Sequence, residues 1–136
     1  MATFQKFDCF VQDLGSKVHA LGSDSLFVAL TNVSPVTTNT VLANISDLAT
    51  GGGYTAGGVQ VPGTTFSQAA GVATLVGDDV IFSASTGFGP FRYAVLYNAA
   101  ALGKNLIGWW DYGTSISLTA GQAFTVEFGD AILTLS

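Results

Sequence analysis

Charged side chains are scarce in this sequence. Asp, Glu, Lys and Arg together make up 10% of the 136 residues, against about 25% in an ordinary soluble domain. With so few charges to cover its surface, an isolated copy is expected to expose large apolar patches, and such patches usually mark contacts with other subunits. The composition therefore predicts that the chain has an assembly partner. We further expect that it associates with itself, as a homodimer or a homotrimer.

Basic residues are fewer than acidic ones. The sequence has four Lys and Arg residues and nine Asp and Glu residues, which gives a net charge of −5. A surface of this sign repels phosphate, so nucleic-acid binding is not expected. No run of about 18 apolar residues occurs, so no membrane-spanning helix and no membrane partner is expected. The N-terminus carries charges among its apolar residues, unlike a signal peptide. We expect assembly in the cytoplasm in which the chain is made.

Cysteine and histidine occur once each. Cys9 has no second cysteine for an internal disulfide, and His19 alone cannot supply a His-based zinc site or a Ser-His-Asp triad. On one helix the two side chains would stand about 15 Å apart along the axis, too far for proton transfer. We interpret each as a helix-face residue, and we expect no catalytic residue, no metal and no cofactor.

Apolar residues near the N-terminus are spaced three and four apart, which places them on one stripe of an α-helix. Thr3 can cap the start of such a helix, whereas Gly15 costs it about 1 kcal/mol relative to alanine. We predict an amphipathic N-terminal helix within residues 1–22. Its stripe consists of Phe4, Phe7, Val11, Leu14, Val18 and Leu21.

Short runs rich in β-branched and aromatic residues fill the rest of the chain, with turn signals roughly every 8 to 12 residues, a spacing typical of an antiparallel sandwich or barrel. We predict one domain over residues 1–136 that is mainly β, a jelly-roll-like antiparallel sandwich over residues 25–136 preceded by the helix. A glycine-rich loop is predicted at 50–58, and a helical turn within 41–48. The predicted strands are 25–31, 59–66, 71–76, 80–85, 91–98, 106–112, 116–118, 123–128 and 132–135, with turns at 77–79, 86–90, 102–105 and 119–122.

The alternation of side chains along a strand predicts which faces are buried. In the stretch A123-F-T-V-E-F128, Phe124, Val126 and Phe128 share a buried face and Glu127 meets water. The stretch F91-R-Y-A-V-L-Y-N98 is apolar on both faces. Its first face is predicted to carry Phe91, Tyr93, Val95 and Tyr97.

The stretch L106-I-G-W-W-D-Y-G113 contains both tryptophans of the chain. Ile107 and Trp109 are predicted to point one way, and Trp110 and Tyr112 the other. The two indoles therefore cannot share a pocket in a regular strand. We expect one of them to lie between the sheets and the other to be covered from outside, by the N-terminal helix or by another subunit.

Three patterns suggest chemistry, and each has a simpler interpretation. The stretch G51-G-G-Y-T-A56 has the letters of a dinucleotide fingerprint, but the sequence after it cannot begin a helix. Asp111 and Glu127 could flank a glycosidic bond, and Trp110 with Tyr112 could stack on sugar rings. The remaining aspartates include a pair at 78–79 in a predicted hairpin turn, where Asp favours local hydrogen bonds, and no ligand-dense calcium loop is present.

Several stretches resemble small structural proteins of tailed bacteriophages, and above all the cement or decoration proteins that bind the outside of an icosahedral head. The stretches are L26-F-V-A-L-T-N-V33, N39-T-V-L-A-N-I-S-D-L48, G89-P-F-R-Y-A-V-L-Y-N98, L106-I-G-W-W-D-Y-G113 and I116-S-L-T-A-G-Q-A-F-T-V-E-F128. The resemblance implies a jelly-roll-like domain without catalytic residues that bridges copies of the major capsid protein on the virion surface. Related small phage proteins belong to tails, so a tail-associated or carbohydrate-binding module is the alternative. The residues that we name as candidate contacts are Tyr54, Phe88, Phe91, Arg92, Trp110 and Tyr112.

Overall fold

The computed structural model describes residues 3–136, and antiparallel strands make up most of them. One α-helix, α1 (Asp8–Gly15), lies near the N-terminus, and residues Leu42–Asn44 form a single 3-10 turn within the predicted range 41–48. The strands are β1 (Phe4–Lys6), β2 (Leu26–Thr31), β3 (Val59–Gln60), β4 (Thr65–Ala69), β5 (Val72–Val76), β6 (Val80–Ser83), β7 (Gly87–Asn98), β8 (Leu106–Thr119), β9 (Ala123–Val126) and β10 (Leu133–Leu135). The prediction of a mainly β antiparallel sandwich with an N-terminal helix is confirmed.

Within residues 3–136 the strands form sheets of five, three and two members, in the orders β1-β8-β7-β2-β3, β10-β5-β4 and β6-β9. The five-stranded sheet packs against the other two, because one continuous hydrophobic cluster draws side chains from all three. Its fully buried members include Leu26, Val28, Leu30, Leu75, Phe91, Leu96, Ile107 and Val126. The main core of the domain therefore lies between the long sheet and the two short ones.

The opposite face of the five-stranded sheet is covered by the chain itself. A second cluster places Tyr97 and Trp109 of that face under Phe7 and Ile45, which come from the N-terminal segment and from the connection between β2 and β3. Both faces of β7 are consequently buried, as its sequence predicts. The apolar character of β7 is satisfied inside one chain and gives no argument for a partner.

The N-terminal helix is shorter than the predicted range of 1–22. Phe4 lies in β1, paired with Trp110 of β8, and the first residue before the helix is Phe7 rather than Thr3. Val11, a member of the predicted stripe, is 56% exposed, whereas Phe10 beside it is buried. The spacing of three and four was produced by a strand, a short helix and a loop in succession, not by one helix.

Two bulges change which residues share a face. The pairing of β7 with β8 shifts between Phe91 and Tyr93 and again near Tyr97. As a result Phe91 points into the main core while Tyr93 points into the second cluster, and Ile107 shares the main core with Trp110. The predicted grouping of Phe91 with Tyr93, and of Ile107 with Trp109, is therefore wrong, because a bulge inverts the alternation beyond it.

Two predicted turns are also corrected. Residues 86–90 are mostly inside β7, with a cis peptide bond at Gly89-Pro90. Residues 77–79 are not a hairpin turn, because β5 and β6 belong to different sheets and the segment crosses between them. There Asp79 Oδ1 accepts a hydrogen bond from Phe128 N at 3.1 Å. The turn signal at 77–79 therefore marks a crossover between sheets, and the one at 86–90 lies mostly within a strand.

Candidate functional site

Three of the six residues predicted as contacts are in the interior of the chain. Phe91 is fully buried, and Tyr54 and Trp110 are 2% and 5% exposed. These three cannot touch a partner in this structure, and their prediction as contacts is wrong. Phe88, Arg92 and Tyr112 are partly exposed and stay candidates. Large aromatic residues were predicted as contacts because the sequence alone does not show which of them are buried.

The structure nevertheless brings most of the predicted aromatic residues together at one end of the sandwich. Tyr54 contacts Phe88 with ring centroids 5.5 Å apart, and Phe88 lies 6.0 Å from Phe91. The ring of Phe124 in β9 packs edge to face against two rings. Its centroid lies 4.9 Å from that of Phe91 and 5.0 Å from that of Tyr112. Edge-to-face pairs of this kind contribute about 0.5 to 1.5 kcal/mol beyond their buried area. The five rings form a continuous aromatic chain that runs from the core to the surface.

The outer members of this chain, Phe88, Tyr112 and Phe124, are half-buried, and we call them the aromatic rim. Burial raises the pKa of the Tyr112 hydroxyl to about 12, with a further contribution from the negative charge of Glu127. Tyr112 is therefore protonated at neutral pH and can donate a hydrogen bond. The sequence pattern placed Phe124 on the inner face of β9 but could not show that it ends at the rim.

An ion pair joins β7 and β8 on the side of the sheet that carries the second cluster, where the guanidinium of Arg92 lies 5.4 Å from the ring centroid of Tyr93. Asp111 accepts hydrogen bonds from both Nε and Nη2 of Arg92, at 2.8 and 3.1 Å, and Asp111 Oδ1 also accepts one from Gly113 N at 2.8 Å. Hydrogen bonding to Arg92 lowers the pKa of the Asp111 carboxyl, and the same contact raises the pKa of Arg92. The two side chains are 38% and 35% exposed, so the fork of Arg92 is held in place at the surface.

The two tryptophans are packing residues. Trp110 lies in the main core between Phe4 at 5.0 Å and Phe128 at 5.5 Å, and Trp109 lies under Phe7 at 4.6 Å on the other face. The expectation that the indoles point to opposite faces is confirmed, and the outer one is covered by the N-terminal segment of the same chain. Neither indole offers a stacking surface for a sugar ring, because each is about 95% buried.

The glycine-rich loop at 50–58 is fixed to the sandwich through Tyr54. The Tyr54 hydroxyl accepts a hydrogen bond from Leu30 N at 3.0 Å and donates one to Asp47 Oδ2 at 3.3 Å. Asp47 Oδ2 also accepts from Gly57 N at 2.7 Å, and the Tyr97 hydroxyl donates to Gly57 O. The loop leads into β3 and not into a helix, which agrees with its interpretation as a loop. Asp47 drew no attention in the sequence, because a single aspartate before a loop carries no pattern.

The other groups considered for chemistry are spread over the molecule. Glu127 is exposed, and Asp111 is engaged by Arg92. Cys9 lies on α1, its Sγ 3.7 Å from the carbonyl oxygen of Leu106. Burial and nearby Asp13 raise the pKa of its thiol. His19 follows α1 rather than lying on it, which corrects its placement on a helix face.

Residues 3–136 enclose no cavity of ligand size, and within them no three His, Cys, Asp or Glu side chains converge on a possible metal position. The single α-helix described is too short to cross a membrane. Comparison with known proteins finds no matching family model, no matching curated protein and no matching solved structure. The aromatic rim is the candidate interaction surface.

Proposed function

We propose that this chain is a structural protein of a phage virion that binds the outer surface of the capsid and stabilises contacts between major capsid protein subunits. It acts in many copies, associates with itself as a dimer or trimer, and performs no catalysis. The capsid as partner comes from the sequence resemblance to cement and decoration proteins. The structure supports the more general part of the proposal, which is binding through a protein surface.

The aromatic rim is the observation that carries the proposal. Side chains that dominate protein interfaces are mainly Trp, Tyr and Arg, and they act by fitting pockets of the partner at a well-packed centre. Phe88 and Tyr112 are half-buried and supported from below by Phe91 and Phe124. Rings held in this way lose little conformational entropy on binding, which favours affinity.

The distribution of charge also favours dense packing of copies. No Asp, Glu, Lys, Arg or His occurs between Asp47 and Asp78, so β3, β4 and β5 carry no charged side chain. Like charges at an interface cost free energy unless they are paired. A chain of net charge −5 that presents uncharged strands can meet its neighbours there without that cost.

The copy number in purified virions tests the capsid assignment. We expect quantitative mass spectrometry to find this chain in a near-equal molar ratio to the major capsid protein, and heads that lack it to burst at lower temperature. A handful of copies per particle would favour the tail-associated alternative, and absence from the particle would rule out both.

A pair of variants tests the surface. Tyr112→Ala is expected to weaken binding to heads that lack the protein by about tenfold or more, because hot-spot residues cost about 2 kcal/mol or more when truncated. Ile81→Ala is the matched control, since Ile81 is 58% exposed on β6 and belongs to no aromatic contact. Equal binding by both variants, with unchanged melting temperatures, would remove the rim from the interface.

A further inference from the structure

The one histidine of the chain lies where residues 16–25, which connect α1 to β2, pass the end of β7. His19 is 6% exposed and Asn98, the last residue of β7, is fully buried. The amide Nδ2 of Asn98 donates to Asp24 Oδ2 at 2.7 Å and lies 3.0 Å from His19 Nδ1. Asn98 Oδ1 accepts a hydrogen bond from Ala100 N at 2.9 Å. The side-chain amide of Asn98 thus holds residues 16–25 against the end of β7 at two positions, His19 and Asp24.

This arrangement fixes the proton of the imidazole. An amide nitrogen carries only hydrogens, so His19 Nδ1 must accept and must be unprotonated. The opposite orientation of the amide would turn its oxygen toward the Asp24 carboxylate and leave Ala100 N without its acceptor. The proton of neutral His19 therefore sits on Nε2, which is buried and has no partner among residues 3–136. The imidazole is held in a single tautomer.

The ionisable groups that face His19 are two carboxylates, and their negative charge favours the protonated imidazole. Asp13 comes from α1 and Asp24 from the connection itself, while α1 also packs Phe10 on the ring at 5.6 Å. Asp13 Oδ2 accepts from Asn105 Nδ2 at 3.0 Å, and Asp24 Oδ2 accepts from Ala20 N at 2.8 Å. Burial lowers the pKa of His19, and the two carboxylates oppose that shift only in part.

We propose that His19 is an acid-released latch: protonation at Nδ1 sets N–H against N–H at Asn98, breaks this contact, and releases residues 16–25 from the end of β7 while the sandwich stays folded. The closed form binds the proton less readily than the open form, in which the ordinary pKa near 6.5 applies. Closure is therefore fully favoured above about pH 6.5 and is lost as the pH falls from there toward the lowered value. Within that window the population of the open form rises up to about tenfold per pH unit.

Two measurements on the intact chain test the latch. In the first, the imidazole signals of His19 are followed by NMR as the pH is lowered, and the midpoint is expected below about 6.5. In the second, hydrogen exchange of residues 16–25, corrected for the intrinsic pH dependence, is expected to accelerate over the same range while β7 and β8 remain protected. His19→Gln, whose side-chain oxygen accepts from Asn98 but does not titrate, should lose this acceleration.

Lys17→Gln is the matched control, because it removes an exposed charge two residues away and should keep the response of the unchanged protein. A His19 midpoint at or above about 6.5, or an equal pH response of His19→Gln, would overturn the proposal. Simultaneous opening of β7 and β8 would also overturn it, since the release would then be global. If His19→Gln does not fold, the imidazole titration and the regional exchange of the unchanged protein still decide the question.

Discussion

Two glycines with nearly the same backbone angle allow conformational strain to be separated from steric overlap. Gly58 has φ +85° and an added Cβ would lie 1.8 Å from the carbonyl oxygen of Val28, whereas Gly121 has φ +82° and open space around it. Alanine in this region costs about 1 to 2 kcal/mol through its backbone alone. We therefore expect Gly121→Ala to lower the free energy of unfolding by about that amount.

Gly58→Ala should cost more than about 3 kcal/mol, since the carbonyl of Val28 is part of β2 and cannot move away. Urea unfolding of both variants measures the difference. If both variants lose the same free energy of unfolding, residues 57–58 can shift away from β2, which would contradict the close packing of Gly58 on Val28.

The hydroxyl of Tyr54 is expected to stabilise the domain more than that of Tyr97. In Tyr54→Phe the buried Leu30 N loses its acceptor and Asp47 loses a donor, so the free energy of unfolding should fall by about 1 to 3 kcal/mol. Tyr97→Phe removes a single donor to Gly57 O and should cost about 1 kcal/mol. Chemical denaturation of the two variants checks the order, and a larger loss in Tyr97→Phe would contradict this account of the loop.

At the scale of single residues the sequence allowed inferences about chemistry but not about exposure. The absence of a second histidine or cysteine can be read directly. That Trp110 and Tyr54 are buried whereas Tyr112 is half-exposed depends on where β8 and the loop end within the sandwich. The same residue type in the same kind of pattern therefore lies in different surroundings. Three of the six candidate contacts are buried, and the other three are partly exposed and stay candidates.

The N-terminal segment covers the second face of the long sheet, and one side chain should account for much of that effect. Phe7 is fully buried on Trp109, so Phe7→Ala should lower the free energy of unfolding by about 3 to 5 kcal/mol and make Trp109 accessible to a fluorescence quencher. Val11→Ala, on the exposed side of α1, should change stability by less than about 0.5 kcal/mol. Unchanged quenching in Phe7→Ala would mean that another segment covers the indole.

Periodicity predicted strands well and their continuity poorly. The strands near β2, β5 and β9 were found within two residues, because each is a short run rich in apolar and β-branched residues bounded by turn signals. The beginning of β7 was assigned to a turn at 86–90, and β8 was divided at 113–115, since Gly, Pro and Ser there match turn signals. In the structure those residues form bulged parts of the same strands, and a bulge is set by the pairing of two strands, which one strand's sequence does not contain.

The whole molecule hides its apolar residues better than its composition suggests. Its accessible surface of 6735 Å² is close to the roughly 6700 Å² of a compact monomer of this mass. Among residues 3–136, seven large apolar side chains are well exposed, including Val33, Ile81 and Leu102. The total exposed area is thus that of a compact monomer, and the proposed association depends on the aromatic rim and on uncharged strands.

Alkaline pH should destabilise the whole sandwich, because two buried tyrosines, Tyr54 and Tyr97, and the half-buried Tyr112 lie in different parts of it. Burial raises the pKa of Tyr97 and of Tyr112 to about 12, and raises that of Tyr54 as well. In the unfolded chain each loses its proton near pH 10. The folded state binds these protons more tightly, so their contribution to stability is complete below about pH 10 and is lost as the pH rises toward about 12.

Tyrosinate absorbance, followed with the urea midpoint from about pH 8 upward, should show these tyrosines ionising only as the fold is lost. In denaturant, all four tyrosines should ionise near pH 10, and the same result in the folded protein, with an unchanged urea midpoint, would show that these hydroxyls are not buried.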